Sequence, residues 1–275
     1  MNILITAGGT RERIDNVRSI ANMSTGRLGA LIADTFAAEG DVQAVYYIHG
    51  PKAALPQTGK AKLFPVEDVA GLERGVRELA TRETIDIIVH SMAVSDYRVK
   101  SVTSMDRLAR AAAELPESLK NVTTENAASV ARGWFQAAGD LINRSDSDPE
   151  QRAGAKQGNE AGQGGKISSN IEDMILWMER TPKIISLFQT LMPKSILVGF
   201  KLLDHAPFEE LMDAAYRVSR ENNCAFLLAN DLAEISERHH RGYLVAPDRS
   251  YQTFDTKEEI AAGIVSATMR IRCEK

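Results

Sequence analysis

The chain has 275 residues, 44% of them hydrophobic and 25% charged. That is an ordinary globular balance, with enough length for one large α/β domain or two small ones. A formal net charge of −4 argues against nucleic acid as the main partner, since no basic excess is available to neutralise a phosphate backbone. No run approaches the roughly 18 apolar residues of a membrane helix, and no basic segment leads into a long apolar one near Met1. A cytoplasmic protein with no membrane contact is expected. Cys224 and Cys273 stand alone, without CxxC spacing, and read as reduced thiols.

Asn2–Thr6 reads as a short apolar strand ending in Ala7-Gly8-Gly9-Thr10, a loop no helix would tolerate. A polar stretch, Arg11–Ser24, follows. Thr25–Glu39 has helical periodicity through Leu28, Leu31, Ile32 and Phe36, with Gly40 as its stop. Val42–Ile48 is a second strand, Lys62–Pro65 a third, and Val66–Arg82 a helix. Ile85–Ser91 is nearly all apolar, the mark of a strand buried on both faces in a parallel sheet. Met105–Leu115 is helix-prone, and Asn126–Ile142 is read as another helix. Ser145–Gly165 has almost no large apolar side chains and is expected to lack fixed structure. Further on, Ser195–Phe200 is a strand, Pro207–Asn222 a helix and Ala225–Ala229 a strand. Gly242–Pro247 and Tyr251–Phe254 suit a hairpin, and Lys257–Arg272 a closing helix. This alternation predicts an α/β fold with a doubly wound, mostly parallel, Rossmann-like sheet. It is expected to form a single domain over 1–275 with an insert or flap at about 101–165. Ligands of such sheets sit beyond the carboxyl ends of the strands, which directs attention to the loops after Thr6, Ser91, Phe200 and Ala229.

Each motif there also has a plain structural reading. Gly8-Gly9-Thr10 lets backbone N–H groups approach a phosphate, or simply makes a turn. Ser24-Thr25-Gly26-Arg27 stands before a helix, where Ser or Thr is a good N-cap; hydroxyls, backbone N–H groups, helix dipole and cation also suit an anion. The Asn22 amide can donate to a carboxylate or acyl oxygen, or stabilise a turn. Asp96, after the segment containing Ala93, suits a metal or hydroxyl, or a cap. His90 reads as a packed, hydrogen-bonded histidine. Lys166 stands where the polar segment rejoins the fold, able to close over phosphates or to lie on the surface. Asn230-Asp231 ends an apolar strand and is also common turn chemistry. His239-His240 has no partners at metal-ligand spacing and reads as an exposed loop. The GxGxxG and GxxxxGK[ST] fingerprints are absent.

Together these segments resemble the phosphopantothenate–cysteine ligase family of coenzyme A biosynthesis. The matching blocks are ITAGGTRERIDNVRSIANMSTGRLG (Ile5–Gly29), MAVSDYR (Met92–Arg98), KISS (Lys166–Ser169), TPKIISL (Thr181–Leu187), VGFKLL (Val198–Leu203) and LLAND (Leu227–Asp231). Outside Lys100–Gly165 they cover most of the chain, in the family's order. The resemblance is to the short, monofunctional bacterial form, and it implies an enzyme that activates 4′-phosphopantothenate with CTP or ATP. An acyl-nucleotidylate and pyrophosphate form, and the amine of L-cysteine then displaces CMP or AMP.

The resemblance implies Asn22 and Lys166 as catalytic, with Asn22 and Arg27 on the substrate. It implies Gly8, Gly9, Thr10, Ser24, Thr25, Gly26, Ala93, Asp96, Phe200, Asn230 and Asp231 as nucleotide contacts. Asp96 is also the candidate ligand for Mg2+, and a homodimer is implied. Three departures stand out. KIKK has become KISS, GFAAET has become GFKLLD with Lys201, and NPDI has become TPKI with Lys183. The last two add cations and leave CTP against ATP open. Two other readings compete. A nicotinamide-dependent reductase on a Rossmann sheet lacks the glycine fingerprint and an acid after Tyr47-Ile48-His49, and Tyr97 and Lys100 are three apart rather than four. A non-catalytic nucleotide-binding protein would not require Asn22.

Overall fold

The structure, a computed structural model, describes residues 1–113, 123–130, 133, 167, 172–236 and 239–274. In chain order the elements are β1 (Asn2–Ala7), β2 (Arg11–Arg13), β3 (Ser19–Ala21), α1 (Arg27–Ala38), β4 (Ala44–His49), β5 (Ala61–Pro65), α2 (Val69–Arg82), β6 (Ile87–His90), β7 (Tyr97–Ser104) and α3 (Met105–Ala113). They continue with β8 (Met174–Arg180), α4 (Ile184–Leu191), β9 (Ile196–Leu203), α5 (Phe208–Glu221), β10 (Phe226–Asp231), β11 (Gly242–Val245), β12 (Tyr251–Phe254) and α6 (Lys257–Glu274). The chain divides into two units: Met1–Arg11, Ala21–Ser95 and Pro182–Lys275 form one, Glu12–Ile20 and Asp96–Thr181 the other.

The first unit carries an eight-stranded sheet in the order β12-β11-β10-β9-β6-β1-β4-β5. From β5 to β10 every pairing is parallel; β11 and β12 add an antiparallel edge. Counting parallel strands along the chain gives the doubly wound order 3-2-1-4-5-6, whose direction reverses between β1 and β6. Ile3–Ala7 and Ile87–His90 are buried throughout, as their mostly apolar runs, interrupted by Thr6 and His90, require. Alternate residues feed opposite faces. Ile3, Ile5 and Ala7 join Ile32, Ala33 and Phe36 of α1 and Ile260 and Ile264 of α6. Leu4, Tyr46, Ile48 and Ile88 join Leu72 and Val76 of α2 and Ile184 and Phe188 of α4. Leu211 and Ala215 of α5 pack on Leu227, Ala229 and Val245. The predicted Rossmann-like α/β sheet is thus observed, including the β11–β12 hairpin.

The second unit contains what the sequence reading left out. The polar stretch after Thr10 contains the strand pair β2–β3. β7 and β8 form an antiparallel pair from Tyr97↔Arg180 to Ser104↔Met174, with an irregularity between Val99 and Ser101. Arg98 pairs with Glu179 across it at 2.6 Å, and Lys100 lies 4.8 Å over the Trp177 ring. The longer of its two segments starts at Asp96, five residues before the expected insert. Thr123 and Asn126 exchange backbone-to-side-chain hydrogen bonds of 2.7 and 3.3 Å in the manner of a capping box. They open the helix expected from Asn126, most of which lies outside the described residues. Ser145–Gly165 and Lys166 lie outside them too.

Candidate active site

The strand order reverses between the parallel strands β1 and β6, so the connections that follow them run to opposite sides and a crevice opens beyond their ends. Backbone hydrogen bonds tie the two loops there. Ala93 N–H donates to the Gly8 carbonyl at 2.8 Å, and Thr10 N–H to the Ala93 carbonyl at 3.1 Å. The fully buried Thr10 hydroxyl accepts from Ser95 N–H at 2.9 Å and lies 3.1 Å from the Ser95 hydroxyl. Thr10 and Ala93, both expected as nucleotide contacts, therefore spend these polar groups on holding the loops together.

A third loop joins them. Gly50 N–H donates to the Ala7 carbonyl at 3.0 Å, and Ala54 N–H to the Thr25 carbonyl at 2.9 Å. The buried Tyr47 hydroxyl donates to the Ala54 carbonyl at 2.8 Å, and its burial holds the phenol well above its ordinary pKa. Gly8 has φ 81°, and a side chain there would place Cβ 2.6 Å from the Ala53 Cβ.

Gly26 opens α1 with φ 69° and ψ 0°. The expected cap is thereby corrected: neither Ser24 nor Thr25 caps α1, since the N-cap is Gly26, with no side-chain hydrogen bond to the helix start. The chain has to turn through a left-handed conformation to enter the helix, which glycine alone does freely. The first turn also has no acidic side chain, so its orphan N–H groups and the positive end of the helix dipole remain available to an anion. Three residues on, a Cβ at Gly29 would lie 2.5 Å from the Ala7 Cβ, so a glycine is needed for α1 to sit against β1. Gly8, Gly26 and Gly29 thus do in space what a GxGxxG run does in sequence, with residues 9–25 interposed. Gly29, Gly50, Ala53 and Tyr47 were missed by sequence reasoning; the Gly26-x-x-Gly29 spacing at a helix start was the available signal.

Asn22 is exposed, beside the Gly9 backbone. Its backbone N–H reaches the Thr10 carbonyl at 3.4 Å and its carbonyl accepts from Ser24 N–H at 3.0 Å. Its side-chain amide has no hydrogen-bond partner among the described residues. Ser24 is half-buried, while Thr25 and Arg27 are exposed. Phe200 is half-buried within β9, three residues before its end and opposite Leu228.

At the end of β10 the polar groups turn inward. Asp231, 4% exposed, accepts from the N–H groups of His205 (3.0 Å), Ala206 (2.7 Å) and Ala233 (2.8 Å). These bonds, led by the one from Ala233, hold its pKa below the usual carboxylate value. Asn230 is buried, its Nδ2 3.1 Å from Nε2 of His240. The exposed-loop reading of His239-His240 is therefore corrected: His240 is buried and His239 half-buried. Nδ1 of His240 has no partner among the described residues, and burial lowers the pKa to about 4. His90 is packed and bonded as expected, with Nδ1 2.7 Å from the Thr6 hydroxyl and its ring edge-on to Phe188. Burial lowers its pKa to about 4 as well.

In the second unit Asp96 is exposed, and its carbonyl accepts from Thr181 N–H at 3.0 Å. No cluster of three or more His, Cys, Asp or Glu side chains suited to a metal occurs among the described residues. None of their helices is long and apolar enough to cross a membrane.

Residues 1–132 match the model of the DNA/pantothenate metabolism flavoprotein C-terminal domain. The crystal structure of the DNA/pantothenate metabolism flavoprotein from Streptococcus pneumoniae is 30% identical, with a TM-score of 0.72 and full coverage of both chains. The coenzyme A biosynthesis bifunctional protein CoaBC of Methanocaldococcus jannaschii is 23% identical over 98% of this chain and 50% of its own length. The chain spans about half the length of such curated relatives. A Cab2 mutant in complex with phosphopantothenate-cysteine shares the fold, with a TM-score of 0.62 at 16% identity, covering 99% of this chain and 88% of that one. With a full-length match at 30% identity added to the sequence blocks in their order, the chain belongs to the phosphopantothenate–cysteine ligase family, that of the DNA/pantothenate metabolism flavoprotein C-terminal domain.

Proposed function

We propose that this chain is a ligase of coenzyme A biosynthesis that joins 4′-phosphopantothenate to L-cysteine, consuming CTP or ATP. A carboxylate is a poor electrophile and must first acquire a leaving group. Its oxygen attacks the α-phosphorus of the nucleotide, and pyrophosphate departs. The cysteine amine then attacks the acyl carbon of the mixed anhydride, loses a proton, and expels CMP or AMP.

The observation that carries this reading is the uncapped start of α1 beside the loops of β1 and β6. Its N–H groups and dipole suit the nucleotide phosphates, with Gly8, Gly9, Gly26 and the Ser24 and Thr25 hydroxyls around them. The Asn22 amide, without a partner among the described residues, donates to the acyl oxygen, and Arg27 supplies a nearby cation for the substrate. Thr10 and Ala93 shape the cradle through their backbone ties. Phe200, Asn230 and Asp231 belong to the same strand-end edge, with Asp231 holding the loop there. Asp96 and Lys166 complete the assignment by resemblance. An exposed carboxylate such as Asp96 fits Mg2+ held mainly by nucleotide phosphates and water; the ion would neutralise phosphate charge. A homodimer in the cytoplasm is part of the same proposal. The reductase reading shares the strand order, but β4 ends in His49, with no acid for a ribose.

The test is pyrophosphate release when 4′-phosphopantothenate is added with CTP or with ATP, before cysteine. Release with one nucleotide is expected; none with either would end the proposal.

A further inference from the structure

We propose that His240 is a positioning residue for nucleotide selection. It holds the Asn230 amide with its oxygen outward, so that the site takes a base carrying an exocyclic amino group, cytosine or adenine, over one with a carbonyl there, uracil or hypoxanthine. The inference deepens the ligase reading above and rests on it. Asn230 and His240 are each only 7% exposed. Nδ2 of Asn230 lies 3.1 Å from Nε2 of His240. An amide nitrogen only donates, so Nε2 accepts. The Asn230 oxygen, on the other arm of the amide, has no hydrogen-bond partner among the described residues. The histidine is itself held, with its backbone N–H on the Asp255 carbonyl at 2.9 Å and a β-bridge to Ile235.

Burial, helped by the nearby Lys257 cation, lowers the His240 pKa to about 4. At working pH the ring therefore has one proton, and with Nε2 accepting, that proton is on Nδ1. Nδ1 is buried and has no partner among the described residues. A buried N–H without an acceptor costs stability. The other tautomer would avoid that cost, since Nε2–H could donate to an amide turned over. It would also reverse what Asn230 offers outward, from an acceptor to a pair of donors. The tautomer thus decides which ligand group Asn230 can meet. Alternation along β10 puts Asn230 on the same sheet face as Phe226 and Leu228, which pack with α1. Phe200, opposite Leu228 on β9, packs against that same cluster. In the order β10-β9-β6-β1, Asn230 stands three strand spacings, about 14 Å, from the end of β1. The start of α1 and the Asn230 oxygen are therefore a nucleotide's length apart along one edge of one unit, with Phe200 on a strand between them. Phosphates at the first leave the base for the second.

The test compares pyrophosphate release with 4′-phosphopantothenate for CTP against UTP and for ATP against ITP. In whichever pair the protein uses, the amino base is expected to lead in kcat/KM by at least about tenfold, the worth of one hydrogen bond. His240→Phe keeps a ring and removes the acceptor, which frees the amide to turn its nitrogen toward a carbonyl. The lead should then shrink to about twofold, through KM rather than kcat. Losses by the same factor with both nucleotides would mark a purely structural role and overturn the proposal. Equal use of both nucleotides by the unmutated protein would overturn it as well. So would a His240-dependent preference for CTP over 2′-deoxy-CTP with none over UTP, which would put a ribose hydroxyl at Asn230. Nitrogen NMR of the histidine rings in the unmutated protein needs no variant to fold. It should show His240 protonated on Nδ1; a proton on Nε2 would mean that the amide is turned over, and the proposal would fall. No release with any of the four nucleotides would end the ligase reading, and the inference with it.

Discussion

The loops after β1 and β6 and the loop after β10 stand at the same edge of one sheet, yet use their polar groups in opposite ways. Around Gly8, Gly26 and Ala93 the ties are mostly backbone to backbone, and the start of α1 remains without a side-chain cap. After β10 the ties come from side chains. The Asp231 carboxylate collects three backbone N–H groups, and Asn230 lies against His240. A loop held by backbone ties keeps donors for a ligand, whereas a loop held by its own acid has used that acid. On the proposed function, the first region is the anion cradle and the second a scaffold beside it.

Each region has one buried histidine, and acid offers the largest test of the pair. His90 and His240 both have folded-state pKa values lowered to about 4, chiefly by burial. The unfolded chain, with histidines near 6.5, binds more protons between these values, so stability rises with pH across that window. It is fully present above about 6.5 and is lost as pH falls toward 4. The loss is on the order of 3 kcal/mol at most for each histidine. Urea unfolding at a series of pH values should show it, and His90→Gln and His240→Gln should each flatten the slope. A flat profile from pH 6.5 to 4.5 would mean that both sites admit water, and the contrast between a sealed scaffold and an open cradle would lose one of its terms.

The next test breaks the cradle alone. Gly8→Val sets a β-branched residue at φ 81° with its Cβ 2.6 Å from the Ala53 Cβ. Strain and overlap together should cost roughly 2–3 kcal/mol, and stabilisation by added nucleotide, read as a shift in Tm, should disappear. A loss under about 0.5 kcal/mol would show that the loop relaxes freely and that backbone ties do not set its shape.

Legibility followed burial. Ile3–Ala7 and Ile87–His90 are apolar but for Thr6 and His90, so the parallel strands and the strand-end edge could be read from sequence. The strand pair β7–β8 was not, because only Val99 and Thr103 of β7 are buried and β8 has no fully buried residue. The short pair β2–β3 includes two arginines and a glutamate among its first three residues and has no apolar alternation to betray it. The glycine fingerprint was hidden by the excursion between Gly9 and Gly26, since a spacing rule cannot see through residues that leave and return. His240 looked like half of an exposed pair because nothing local shows that the end of β10 covers it. The Asn22 position could be found from its block, but whether its amide was engaged could not.

That amide gives the smallest effect on the fold and the sharpest one on chemistry. Because Asn22 is exposed and its side chain bonds to nothing among the described residues, Asn22→Ala should change unfolding free energy by less than about 0.5 kcal/mol. The cradle would still bind nucleotide, so pyrophosphate should be released at close to the normal rate. The acyl oxygen would lack its donor when the amine attacks, a contribution of about 100-fold where such a donor acts in the transition state. Amide product should therefore fall far more than pyrophosphate, and acyl-nucleotidylate should build up in a quenched single-turnover sample. Equal losses in both products would place Asn22 in nucleotide binding, with the scaffold's polar groups rather than the cradle's. An unchanged amide yield would remove it from the reaction altogether.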